Sequence, residues 1–298
     1  MITGCMSQPL PIAVEQPDFQ PTKTHVFLPS VIPTSTSTAN RMITTPSPLP
    51  SEAFCKKTGV IKNVEIPSPT LGEKLRMRIY LPPCYQKEKE GGYPLLVLLH
   101  GQNGQDDQWI NLGLTKAADS LILSNEIPAI VMVFPWERLY LLDWRESHFG
   151  EALTEDLMAY ILAEYNINPA RDQHAIGGIS RGASWAVQVG MESPQLFGVI
   201  GGHSFPSFGG EIRKLPVWIE QFDPLGAPAL YFDIGKYDRY KRYCDPFMEA
   251  LTQQGVEHQY IINEGAHNNE YWQEHIIDYL TWYGKTFSGT DLVDTPRQ

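Results

Sequence analysis

The chain has 298 residues, 42% hydrophobic and 19% charged, a balance that can bury a substantial core and excludes a disordered protein. Its formal net charge is −11 and no Lys/Arg cluster offers a phosphate-binding stripe, so nucleic acid and other polyanions are disfavoured as partners. The four cysteines (Cys5, Cys55, Cys84 and Cys244) form no C-x-x-C pair and no zinc-spaced Cys/His set, so no metal site is expected, while a disulfide between two of the last three stays open.

In chain order, Ile2-Thr3-Gly4-Cys5 resembles the end of a bacterial lipoprotein signal, in which the cysteine is lipidated. Residues 1–50 hold nine of the 24 prolines and only four charged residues. Such a Pro/Ser/Thr-rich stretch buries too little surface to fold, and 1–54 reads as a leader or tether. The expected location is extracytoplasmic, either secreted or tethered to a membrane through lipidated Cys5. No run of about 18 apolar residues predicts a transmembrane helix.

From residue 55 the pattern changes, and 55–288 reads as one folded domain followed by a tail over 289–298. Residues 59–66 and 74–81 alternate apolar and polar side chains, as half-buried antiparallel strands do. Leu95–Leu99 is continuously apolar, as a strand buried on both faces must be. Comparable runs recur at 129–134, 175–179, 199–201 and 229–234, with a weaker one at 259–262. Helical patterns fall at 151–166, 181–191, 242–253 and 270–284. This alternation predicts an α/β fold: a mostly parallel sheet with an antiparallel edge and helices on both faces. Ligands in such sheets sit at the carboxyl ends of the strands.

Gly178-Ile179-Ser180-Arg181-Gly182 is a G-x-S-x-G between a predicted strand and a predicted helix, the setting of a nucleophile elbow. Glycines flank the serine because side chains there would collide at a strained turn. Two backbone N–H groups must face the developing oxyanion. One falls to Arg181, directly after the serine. The other falls to Gln102, where His100-Gly101 turns the chain after the strand 95–99; His100 itself reads as a structural histidine of that loop. In this fold the acid and then the histidine follow the serine. His203, His258, His267 and His275 follow Ser180, and His267 alone sits in a loop between the last strand and the last helix, where an imidazole reaches a hydroxyl. The acid must lie between them, and Asp233 and Asp238 are the candidates. Asp238 is preferred because it lies beyond the strand, in the loop opened by Gly235. Trp109, Trp136, Trp144 and His203 fall near strand ends and are expected to line an aromatic substrate cleft.

The segments Tyr80–Tyr85, Pro94–Gly101, Gly178–Ala183, Asp233–Asp238 and Gly265–Trp272 together resemble the esterase family that holds feruloyl esterases, enterochelin esterases, S-formylglutathione hydrolase (esterase D) and the antigen 85 mycolyltransferases. The resemblance covers about residues 56–285 and implies an α/β-hydrolase fold. Carried over by position, it implies Ser180, Asp238 and His267 as the triad, with Gln102 and Arg181 as backbone donors. Cys84 departs from a usual glycine, and Arg181 from a usual apolar residue. A cation at 181 would favour an anionic substrate or pair with an acidic neighbour. The expected activity is serine carboxylic ester hydrolysis through an acyl-enzyme, without cofactor, on feruloyl or acetyl esters of carbohydrates. The alternatives are acyl transfer of the antigen 85 type and siderophore ester hydrolysis on the same triad.

Overall fold

The computed structural model describes residues 57–142, 144–207 and 210–289. The leader expected over 1–54, the Cys5 motif and all of the tail but residue 289 lie outside them. By packing, the chain divides into Met1–Glu52 and Ala53–Gln298, and everything described belongs to the second unit.

Eight strands form one sheet: β1 (Val60–Ser68), β2 (Glu73–Leu81), β3 (Leu95–Leu99), β4 (Val131–Pro135), β5 (His174–Ile179), β6 (Val199–His203), β7 (Ala229–Gly235) and β8 (Gln259–Asn263). Their order is β1-β2-β4-β3-β5-β6-β7-β8. β1 pairs antiparallel with β2, and β2 with β4; all other pairs are parallel. This is the mostly parallel sheet with an antiparallel edge that the hydrophobic runs predicted.

The continuous apolar run of β3 is explained by its two burials. Leu95, Val97 and Leu99 join one core, and Leu96 and Leu98 join the other. Successive strand side chains point to opposite faces, so a strand covered on both sides needs apolar residues at every position. One face is covered by helices Leu114–Leu123 and Ile276–Phe287. The other is covered by helices Arg181–Glu192, Gly210–Glu220 and Lys241–Gln253. Helix Phe149–Ala152 lies on that side too and runs through a π-helical turn, Leu153–Leu157, into Met158–Glu164.

Two features differ from the sequence expectation. Helices Leu114–Leu123 and Gly210–Glu220 fall in segments given no element, the second carrying Pro216 within it. The helix expected over 270–284 is two helices, Asn269–Glu274 and Ile276–Phe287, which meet at His275. His275 ends one and opens the next, and its ring donates to the Asp278 carboxylate at 3.1 Å. That hydrogen bond and burial oppose each other on the imidazole; the bond dominates and holds its pKa above the ordinary value.

Cys84 is disulfide-bonded, and Cys244 is a free, buried thiol.

Candidate active site

Ser180 stands between the end of β5 and the helix Arg181–Glu192 with φ 54° and ψ −122°. A non-glycine residue rarely holds such a backbone, and it persists only where the surroundings enforce it. They do so through glycine. A Cβ on Gly178 would stand 2.4 Å from the Gly182 carbonyl carbon, and one on Gly182 would stand 2.4 Å from the Leu99 oxygen. The helix start is thereby packed against the end of β3. The Ser180 N–H donates to the His203 carbonyl at 2.9 Å, which pins the turn to β6.

His267 follows β8 and precedes the helix Asn269–Glu274. The Asn268 side chain accepts from the Tyr271 N–H at 3.0 Å, so that helix begins with a side-chain cap immediately after the imidazole. Asp238 lies in the turn after β7. Its N–H donates to Gly235 O at 2.9 Å, and its Oδ1 accepts from the Tyr240 N–H at 2.8 Å. The two loops are joined by backbone hydrogen bonds, from Lys236 N–H to Asn263 O at 2.7 Å and from Tyr237 N–H to Gly265 O at 2.9 Å.

These three residues, distant in sequence, form one hydrogen-bonded line. The Ser180 hydroxyl donates to His267 Nε2 at 2.8 Å, and His267 Nδ1–H donates to Asp238 Oδ2 at 2.8 Å. The Asp238 side chain is fully buried and the His267 side chain is 8% exposed. Ser180 is half-buried, so the solvent-facing end of the line is the hydroxyl. The edges of Tyr240 and Trp272 flank the imidazole, with centroids 4.7 and 5.1 Å away. Such a line suits proton transfer from the hydroxyl to the imidazole, with the carboxylate holding the ring.

Arg181 is the first residue of its helix, so its N–H has no intrahelical acceptor. The loop bearing Gln102 lies against the serine: a Cβ on Gly101 would be 3.6 Å from Ser180 Cβ. His100, buried in that loop, donates through Nδ1 to Gly101 O at 2.7 Å and accepts at Nε2 from the Glu137 N–H at 2.9 Å. Burial lowers its pKa. The Arg181 guanidinium meets Glu137 in a two-pronged pair of 2.8 and 2.6 Å, with Glu137 3% and Arg181 24% exposed. Arg181 thus pairs with an acidic neighbour, one of the two roles open from sequence.

The expected aromatic cleft is corrected at two positions. His203 is fully buried: Nδ1 donates to Asp233 at 2.7 Å, and Nε2 accepts from the Tyr283 hydroxyl at 3.1 Å. Asp233 also accepts from Tyr271 at 2.6 Å and Tyr279 at 2.8 Å. Burial, then the Asp233 charge, pushes all three tyrosines upward, so they stay protonated donors. The whole cluster lies inside the sheet and helix layers. Trp109 is 1% exposed, donates its indole N–H to Leu99 O at 3.1 Å and packs edge-on to His203 and Tyr279. Strand ends have two sides, and these residues take the inner one. Trp136 is half-buried beneath the Arg76 guanidinium, 3.9 Å from its ring centre, and lines a cavity of about 220 Å³ with Leu71, Leu139, Phe149 and Glu137. Trp144 opens the short helix Trp144–Ser147; its side chain lies outside what is described.

Sequence reasoning missed Glu137, Tyr240, Trp272 and Gln108. Gln108 accepts from the Gly101 N–H at 2.8 Å and donates to Asn269 Oδ1 at 3.3 Å, which joins the Gln102 loop to the helix after His267. An acid two residues after β4 was the one available signal for Glu137; the others carry none outside the folded chain. Among the described residues, no group of three or more His, Cys, Asp or Glu converges as metal ligands would, and no helix is long and apolar enough to cross a membrane.

A family model described as "Putative esterase" matches residues 68–283. An acetyl esterase of Caldicellulosiruptor saccharolyticus is 21% identical over 225 residues, 64% of this chain and 83% of that protein. An uncharacterised Corynebacterium glutamicum protein is 27% identical over 139 residues, 44% of this chain and 32% of its own length, so the chain spans about a third of that relative. Among solved structures, a serine-to-alanine mutant of the feruloyl esterase module from Clostridium thermocellum, complexed with sinapinate, aligns with TM-score 0.68 at 16% identity. The alignment covers 82% of this chain and 93% of that one.

Proposed function

The chain belongs to the putative esterase family; from that premise we propose that it is an ester hydrolase, with Ser180 as its nucleophile, His267 its general base and Asp238 the acid that orients the base. The observation that carries this is the hydrogen-bonded line from buried Asp238 through His267 to half-buried Ser180, with two 2.8 Å hydrogen bonds ending at a serine in a strained turn. Ser180 Oγ attacks the ester carbonyl as His267 Nε2 takes its proton. The backbone N–H groups of Gln102 and Arg181 receive the oxyanion. The tetrahedral intermediate collapses, the alcohol leaves with the proton from His267, and the serine is left acylated. Water, giving its proton to the same imidazole, then releases the acid and restores the serine.

The substrate we infer is a feruloyl or acetyl ester of a carbohydrate. The acetyl esterase relative and the fold likeness to a sinapinate-bound feruloyl esterase module support that choice. Trp136, on its cavity beside the Glu137–Arg181 pair, is the candidate contact for the acid part. A disulfide at Cys84 supports a location outside the reducing cytoplasm.

The test is Ser180→Ala against a panel of p-nitrophenyl esters and methyl ferulate, with fluorophosphonate labelling of the wild type. Loss of turnover and of the label is expected; wild-type turnover in the variant would remove Ser180 from its role. Product analysis with an added sugar acceptor separates hydrolysis from acyl transfer.

A further inference from the structure

Beside the Gln102 loop lies a second hollow, of about 490 Å³ and open to solvent. Its lining is unusual in kind. Asn103, Gln105, Gln108, Asn111, Asn269 and Gln273 contribute six carboxamides, and no lysine or arginine lines it. Its single carboxylate, Asp107, is drawn to Arg78 at 3.5 Å.

Three of the carboxamides are held in place by the protein. Gln105 accepts from Arg76 at 3.1 Å, and Gln108 spans from Gly101 to Asn269. Asn103, Asn111 and Gln273 make no side-chain hydrogen bond to the described residues, so their donors and acceptors are free to face the hollow. A carboxamide offers both a donor and an acceptor in one plane. A wall of them, without net cationic charge, complements vicinal hydroxyl groups, each of which also donates and accepts. It offers little to a phosphate, a carboxylate or an aromatic ring.

Position adds the second argument. The hollow is bounded by the loop carrying Gln102 on one side and by the helix that starts two residues after His267 on the other. In acyl transfer from an ester, the leaving oxygen must reach the imidazole that protonates it, while the carbonyl oxygen faces the backbone donors. The alcohol half of the ester therefore departs on the histidine side, and Asn269, two residues after His267, lines the hollow.

We propose that this carboxamide-lined hollow is the subsite for the alcohol half of the substrate and takes a neutral sugar residue. The proposal rests on the ester hydrolase reading of Ser180 and His267 and extends it to the group being released. The experiment compares wild type with the triple variant Asn103→Ala/Asn111→Ala/Gln273→Ala. The quantity is kcat/KM on feruloylated arabinoxylo-oligosaccharide divided by kcat/KM on methyl ferulate. In parallel, binding of free xylotriose is measured by saturation-transfer NMR, which needs no chemistry. The expected result is a ratio lower in the triple variant by about tenfold, as loss of one or two net hydrogen bonds gives, together with loss of the xylotriose signal. An unchanged ratio with xylotriose binding retained would overturn the subsite. So would a wild type that cleaves methyl ferulate yet neither binds xylotriose nor prefers the sugar ester, and the esterase reading would then stand alone. A wild type that binds xylotriose through these residues but cleaves no ester would keep the subsite and end the esterase reading.

Discussion

Replacing Asp238 with asparagine removes one charge and keeps the shape, which makes its consequence calculable. The asparagine oxygen still accepts from the Tyr240 N–H, now made by Oδ1 at 2.8 Å. The amide nitrogen then replaces Oδ2, which lies 2.8 Å from His267 Nδ1. Two donors face each other there, and the imidazole relieves the clash by moving its proton to Nε2. Nε2 then has no lone pair for the Ser180 hydroxyl, which it meets at 2.8 Å. Wrong-tautomer imidazole costs about a thousand- to ten-thousand-fold in kcat, or roughly 4–5.5 kcal/mol of transition-state stabilisation. The assay is steady-state hydrolysis of p-nitrophenyl acetate, with the rate of fluorophosphonate labelling as a second readout. A fall of less than tenfold in both, from a folded variant, would refute the role given to Asp238.

The same substitution at Asp233 should act on stability instead. Asp233 is wholly buried and accepts from His203, Tyr271 and Tyr279, so Asp233→Asn strands at least one buried donor. It should cost about 3 kcal/mol, with Tm lower by roughly 6–12 °C in thermal unfolding, while kcat at low temperature falls far less than in Asp238→Asn. Gly182→Ala would place a Cβ 2.4 Å from Leu99 O and 2.5 Å from His100 O, both backbone atoms. The displaced Gln102 loop should lower kcat by about a hundredfold, read on the same ester. Burial pushes the Cys244 thiol up to about 12, so it should resist alkylation at pH 8 in the native protein and react once denatured, as followed by peptide mapping.

The sheet was legible because its parallel strands are buried on both faces and read as unbroken apolar runs, β3 most plainly. The strained turn at Ser180 was legible because its steric demand writes glycines two residues away on either side. His267 followed from chain order, since one histidine alone lay between a final strand and a final helix. Asp233 and Asp238 were harder to separate, being five residues apart at one strand end. Their difference is tertiary: the strand turns Asp233 inward to two tyrosines and His203, while the turn at Gly235 carries Asp238 to the imidazole. His203 and Trp109 were misread for the matching reason, since a position near a strand end does not reveal which side it faces. Glu137 and Gln108 act through partners 44 and seven residues away, and no local pattern marks such pairings.

The backbone seam between the turn after β7 and the loop after β8 gives the site a division of labour. A Cβ at Gly235 would sit 2.5 Å from Gly265 O, so the two segments touch along their main chains, with no side chain as a spacer. Asp238 and His267, the proposed acid and base, are therefore joined through their backbones, whereas Ser180, the proposed nucleophile, follows β5. Any breathing of the enzyme during turnover should open or close the gap between hydroxyl and imidazole and leave the carboxylate–imidazole spacing constant.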